Sequence, residues 1–275
     1  MQAQLRYLKT AAAEIPYVTW EVDRPKAVMV FLHGLKSHSQ WFFSSGEDFA
    51  RQGVKPYVFD RRGSGRSTAA RGDIGNYHDW LEDIHAVVGL AKQDNPGLAC
   101  HLLGHCFGAK LALGYALLHP GEIVSLALIA PPQSAIKADI TLWDKWKVAC
   151  SLLPGVSCNI PVPVTDEMFT RDPAKLEFIQ SDGLRLQEMT ARFCLAVRKM
   201  DRWINRNLED IRIPVFVLLA KEDPVVDNKK VRARFFPRLG AVNKKLSEFD
   251  CYHHLLFEPL RERVIEEITD WMRSG

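Results

Sequence analysis

One succession of residues constrains this chain more than any other. Residues 99–103 (ACHLL) read as a buried strand, Gly104-His105-Cys106-Phe107-Gly108 follows without a spacer, and residues 107–118 read as a helix. Glycines on both sides of Cys106 allow a sharp strand-to-helix turn that pushes the central side chain out at a helix N-terminus. Further runs fit the same rhythm: 27–32 (AVMVFL), 55–60 (KPYVFD), 124–129 (VSLALI), 215–220 (VFVLLA) and 244–249 read as strands. Helix-like stretches lie at 40–51, 77–93 and 259–273. The runs at 27–32, 55–60, 99–103 and 124–129 are aliphatic or β-branched and bounded by Gly or Pro, as suits parallel strands covered on both faces. Strand–helix alternation predicts an α/β fold with a mostly parallel, doubly wound sheet flanked by helices.

Pro131-Pro132 breaks the rhythm, and residues 133–211 contain no clear buried strand. The stretch carries Trp143, Trp146, Phe169, Phe178, Phe193 and Trp203 on helix-like segments. The expected organisation is one α/β core, 1–131 and 211–275, interrupted by a helical cap at 132–210. A chain of 275 residues suits one large domain with an insertion, and it buries enough surface to need no disulfide or metal staple. The 36 Lys and Arg against 33 Asp and Glu are too balanced for a nucleic-acid partner or a polybasic membrane anchor. No apolar run approaches a membrane span, and residues 1–23 lack the charged cap and apolar core of an export signal. The six cysteines (100, 106, 150, 158, 194, 251) form no CxxC pair, so reduced thiols in a cytoplasmic protein are expected. No spacing suits a metal, the Gly63–Gly65 turn lacks a P-loop ending, and no cofactor is expected.

The chemistry sits at strand ends. His33-Gly34 directly follows the first core strand, so the backbone N–H groups of Leu35 and Phe107 can form an oxyanion hole. Asp223 lies just past the 215–220 strand, and His253-His254 just past the last one. The chain order is nucleophile, acid, histidine, each at the carboxyl edge where open α/β sheets bind ligands. Asp227 reads better as a helix N-cap than as the acid. Asp60 is expected to order its own turn and His38 to sit in a loop or at the rim. His33 and His105 read first as loop supports. With His254, Trp143, Trp146 and Phe169 they also complete the set of candidate pocket residues.

HGLKSHSQWF, FDRRGSGRS, LLAKEDPVVD and HHLLFE together resemble segments of the α/β-hydrolases, and more narrowly of the monoacylglycerol lipase and lysophospholipase group. The resemblance covers most of the chain, including a helical cap after the fourth core strand. It implies a catalytic histidine five residues before a Glu, which favours His253, ahead of Glu258, over His254. It also implies Asp223 as the acid. The departure is Cys106, where that group has Ser. A natural thiol nucleophile, an engineered Ser-to-Cys replacement and a non-catalytic ligand-binding protein on a hydrolase scaffold all remain open. A haloalkane or epoxide hydrolase needs Asp at the elbow.

In a Cys106–His253–Asp223 triad, His253 takes the thiol proton or rests with the thiolate as an ion pair, and Asp223 fixes the ring. A tetrahedral intermediate expels thiolate more readily than alkoxide, so the thiol suits thioesters, lactones and activated esters. The expected function is hydrolysis of a carboxylic ester or thioester through a covalent acyl-enzyme. The alternative is an acyltransferase or cyclising thioesterase that passes the acyl group to an amine or alcohol. The expected partner is a small acyl ester or thioester, free or carrier-bound; oligomeric state is not legible.

Overall fold

A computed structural model describes residues 2–11, 13–137, 141–150 and 158–274. Its centre is an eight-stranded sheet in the order β1-β2-β4-β3-β5-β6-β9-β10. The strands are β1 (Ala3–Lys9), β2 (Glu14–Trp20), β3 (Ala27–Leu32), β4 (Val54–Phe59), β5 (Cys100–His105), β6 (Ser125–Ile129), β9 (Val215–Ala220) and β10 (Lys244–Phe249). From β4 to β10 every neighbouring pair is parallel. Every residue of β3, β5, β6 and β9 is buried, so both faces of the sheet are covered, which is why these strands read as continuous apolar runs.

The helices are α1 (Phe43–Arg51), α2 (His78–Asp94), α3 (Phe107–Leu118) and α8 (Arg261–Ser274), with a single helical turn, α7 (Asn228–Lys230), after β9. Helix α3 packs on β5, β3 and β6, and α1 packs on β4 and α8. Trp271 of α8 reaches the sheet through Phe216 of β9, ring centres 5.6 Å apart.

Between β6 and β9 lie α4 (Leu142–Cys150), β7 (Asn159–Pro161), α5 (Pro173–Ser181), β8 (Glu188–Thr190) and α6 (Ala191–Arg206). The stretch read as holding no clear buried strand carries a short, partly exposed antiparallel pair, β7–β8. Strands of three residues are too short to leave a period in the sequence. Helix α5 starts where Asp172 accepts from Ala174 N and Lys175 N, with Pro173 in the first turn; α6 starts where Thr190 accepts from Phe193 N.

The amino-terminal hairpin β1–β2 was not among the expected strands. It runs antiparallel, and β2 also pairs antiparallel with β4. Pro16 sits inside β2 and argues against a strand by sequence rules, and β1 is mostly exposed at the sheet edge.

Candidate active site

Strand β5 ends at His105, and Cys106 turns the chain into α3 with φ 51° and ψ −114°. A positive φ is strained for a residue with a side chain, and such strain clusters at functional positions. The turn is held from both sides. Cys106 N donates to Ile129 O at 2.8 Å, and Cys106 O accepts from Ala109 N at 2.9 Å. The flanking glycines serve close approach rather than φ. A Cβ on Gly108 would lie 1.9 Å from Leu32 O, and one on Gly104 would lie 2.6 Å from Ala109 Cα. Phe107, the first residue of α3, offers one of the helix N–H groups that have no intrahelical partner.

Asp223 and His253 meet at the carboxyl ends of β9 and β10. The His253 Nδ1–H points at both Asp223 oxygens, at 2.9 and 2.8 Å. Asp223 Oδ1 also accepts from Val225 N at 2.8 Å and Val226 N at 2.9 Å. Both residues are buried. Burial pushes the Asp223 carboxyl up, but His253 and the two amides outweigh it and hold it below the usual range. Burial likewise pushes His253 down, and it is overcome by the Asp223 charge and by the Cys106 side chain, so the ring rises to about 10. Among the described residues the buried Nε2 has no partner other than the Cys106 side chain.

Cys106, His253, Leu35 and Phe107 all face one cavity of about 170 Å³. Its far wall comes from the segment between β6 and β9, including Phe169, Met189, Phe193, Cys194 and Val197. Of the candidate pocket residues only Phe169 lines it. His33, His105, His254, Trp143 and Trp146 do not. Trp143 and Trp146 are 61% and 57% exposed and stack on each other at 4.8 Å. An aromatic count cannot tell which side of a helix faces inward. The α6 spacing Phe193, Cys194, Val197 could have shown it, because these share a helical face. Lys110 was also missed, although it stands four residues after Cys106 along α3; it lines the cavity and pairs with Asp201 at 2.8 Å.

The three other candidate histidines, His33, His105 and His254, are buried supports. His33 Nε2 accepts from Arg61 N at 3.0 Å, which leaves Nδ1–H to donate to Gly34 O at 2.8 Å. His105 and His254 pack ring to ring at 4.4 Å, and His254 stacks on Phe257 at 3.7 Å. Burial holds all three well below the ordinary histidine value, His105 at about 3. His38, expected in a loop or at the rim, is fully buried and bonds Asp182 at 2.9 Å. Asp60 accepts from Ser39 N and Arg66 N and so ties its own turn, and Asp227 caps α7. No group of three or more His, Cys, Asp or Glu side chains among the described residues could hold a metal.

This topology, with an elbow after β5 and an Asp–His pair after β9 and β10, defines an α/β-hydrolase. The family described as serine aminopeptidase, S33, matches residues 23–260, and the chain belongs to it. It is 26% identical over 265 residues to the monoacylglycerol lipase of Mycolicibacterium smegmatis, covering 94% of this chain and 93% of that protein. Against the monoglyceride lipase of Homo sapiens it is 27% identical, covering 90% and 82%. The solved monoglyceride lipase of Saccharomyces cerevisiae, a soluble variant with a substrate analogue, superposes with TM-score 0.84 at 18% identity, over 98% of this chain and 95% of that one. No helix among the described residues is long and apolar enough to cross a membrane.

Proposed function

We propose that the protein hydrolyses a carboxylic ester or thioester with an apolar acyl group, using Cys106 as nucleophile, His253 as base and Asp223 as the group that orients the base. The carrying observation is the His253 ring. Its Nδ1 is fixed by both Asp223 oxygens at 2.8–2.9 Å, which leaves the buried Nε2 to Cys106 in the shared cavity. That orientation gives the base one nitrogen on the side of the thiol.

In the proposed cycle Cys106 and His253 rest as a thiolate–imidazolium pair, the proton already on a ring that titrates at about 10, and the Cys106 sulfur attacks the acyl carbonyl carbon. The oxyanion is received by the N–H groups of Leu35 and Phe107. His253 then protonates the leaving oxygen or sulfur as the C–O or C–S bond breaks, leaving a thioester on Cys106. Water, deprotonated by the same nitrogen, attacks the thioester, and the C–S bond breaks to release the acid and restore the thiolate–imidazolium pair. The lipase names of the relatives and the apolar cavity wall support an apolar acyl chain, and residues 132–210 act as the cap over it.

Cys106 favours a second reading in which the acyl group is transferred. Its acyl-enzyme is a thioester, which amines and alcohols attack more readily than they attack an alkyl ester. Intact-protein mass after brief exposure to acyl thioesters and activated esters tests both readings, with Cys106→Ala alongside. An acyl mass on the parent and none on the variant is expected. No adduct and no product across the panel would overturn the assignment. Release as free acid, rather than as amide or ester when an acceptor is added, separates hydrolysis from transfer.

A further inference from the structure

Behind the Leu35 turn lies a buried cation that the cycle above does not use. Arg61 is 2% exposed and follows Asp60 at the end of β4. Its Nη1 donates to Gly34 O at 3.1 Å, and its Nη2 donates to Leu35 O at 3.1 Å and to Ser64 Oγ at 2.6 Å. Its Nε is buried without a partner. The guanidinium carbon sits 4.9 Å from the centre of the Phe107 ring. Among the described residues Arg61 forms no ion pair; the carboxylate of Asp60 is engaged by the amides of Ser39 and Arg66. A buried charge normally demands a carboxylate partner, so an unpaired one marks a place where the fold holds positive potential for another purpose.

We propose that Arg61 is a positioning residue for acyl chemistry at Cys106: it fixes the two peptides that flank Leu35 and polarises the one whose N–H faces the oxyanion. The inference rests on the proposed function. The Gly34–Leu35 peptide carries Gly34 O at one end and the Leu35 N–H at the other. A cationic donor on that oxygen draws electron density through the conjugated amide and makes the N–H a stronger donor. The His33 Nδ1–H, on the same oxygen at 2.8 Å, acts in the same sense. The second peptide, Leu35–Lys36, is held through Leu35 O, so the N–H cannot swing away from the elbow. A Cβ on Gly34 would lie 3.6 Å from Cys106 Cβ, so this turn already rests against the nucleophile. Burial lowers Arg61 to about 9, partly offset by the charges of Asp60 and Cys106, and it stays cationic at neutral pH. A donor made in advance, in a water-poor site, needs no rearrangement as charge develops.

The test compares Arg61→Gln, Arg61→Lys and Ser64→Ala with the parent, each checked for folding by its melting temperature. An activated arylacryloyl ester is used to load Cys106, and the acyl carbonyl stretch is read by Raman difference spectroscopy. The parent frequency is expected below that of the denatured acyl-enzyme. Arg61→Gln should move it back toward the denatured value, Arg61→Lys part of the way, and Ser64→Ala hardly at all. Acylation should slow by roughly tenfold to a hundredfold in Arg61→Gln with KM little changed, below the loss for removing an oxyanion donor outright. A carbonyl frequency in Arg61→Gln equal to the parent's overturns the proposal. Should Arg61→Gln not fold, Arg61→Lys at the parent frequency and rate overturns it as well. Should the parent form no acyl-enzyme with any ester, the reading of the function fails, and Arg61 is then judged by the pH profile of Cys106 alkylation with iodoacetamide. A profile displaced to higher pH in Arg61→Gln and largely restored in Arg61→Lys supports a directed positive charge; identical profiles overturn it.

Discussion

At the scale of single residues, replacing Ser by Cys at the elbow changes which step limits turnover. On the proposed mechanism, a tetrahedral intermediate on Cys106 returns to ester unless His253 protonates the alkoxide, because thiolate leaves more easily. Cys106→Ser removes that bias. It is expected to hydrolyse simple alkyl esters faster than the parent while gaining nothing on thioesters, measured as kcat/KM on a matched ester and thioester pair. A variant that gains on neither would refute the leaving-group account. Asp223→Asn tests the other end of the site. It leaves burial acting on His253 but deletes the charge that opposes it, so the ring titrates lower and can adopt the wrong tautomer. Acylation is expected to fall by about 10⁴, as when a triad aspartate is amidated elsewhere, with the imidazole titration moving down when followed by NMR. Cys106 and Asp223 were legible because each follows an apolar run at a strand end, whereas the run before His253, KKLSEF, is mixed and only the family resemblance preferred His253 to His254. Arg61 was not. It reads as one of several charges in FDRRGSGRS, and only the structure shows that it lies under the Leu35 turn without an ion pair among the described residues, while partly buried Arg62 pairs with buried Asp83.

At the scale of elements, two contacts set how the site is assembled. The first is α3 against β3. The backbone of α3 at Gly108 rests so near Leu32 O that any side chain there must lift the helix and carry Cys106 with it. Gly108→Ala is expected to be strongly destabilised, by an amount at the top of the ordinary mutational range of about 3 kcal/mol or more. Urea unfolding checks this, and a variant with wild-type stability would show that α3 can slide. The second contact joins the Leu35 turn to the segment between β6 and β9. Lys36 pairs with Asp166 at 2.5 Å, Leu186 N donates to Lys36 O at 2.9 Å, and Asp182 receives both His38 and the Trp41 indole N–H. Asp166→Asn leaves a buried ammonium unpaired, which costs about 3 kcal/mol where such a pair is well shielded. Deuterium uptake is expected to rise together at residues 35–41 and 164–186; a rise confined to one segment would mean they are not coupled. The parallel strands were readable because double burial removes polar residues from the whole run. The edge hairpin β1–β2 was not, because one exposed strand and an internal proline erase that signal. The register of the cap was also hidden, since Trp143 and Trp146 look like core by composition and lie at the surface.

At the scale of the whole molecule, histidines set opposing limits on stability. His33, His101, His105 and His254 are buried and titrate low, His101 at about 4 and His105 at about 3, in each case chiefly through burial. Below pH 6.5 the unfolded chain takes up protons at these rings and the folded protein does not. Stability therefore falls as pH drops from 6.5. His253 runs the other way. With a folded value of about 10 it keeps its proton above pH 6.5 while the unfolded ring loses it, so its contribution is full below pH 6.5 and gone once pH has risen through 10. Cys100 and Cys251, raised to about 12 by burial, add their own loss only above the ordinary thiol value near 9. Between pH 6.5 and 9 the alkaline limb then belongs mainly to His253, and the acid limb from 6.5 to 5 mainly to the other four. Urea unfolding free energy against pH is expected to peak near 6.5 and to fall more steeply on the acid side, where these four rings, and in part His119, take up protons on unfolding. Asp223→Asn should flatten the limb from 6.5 to 9, and any change in the acid limb should be a steepening, since burial then acts on His253 with less to oppose it. An alkaline slope that survives in that variant would place the proton on some group other than His253, and would remove the Asp223 charge as the reason the ring is held protonated.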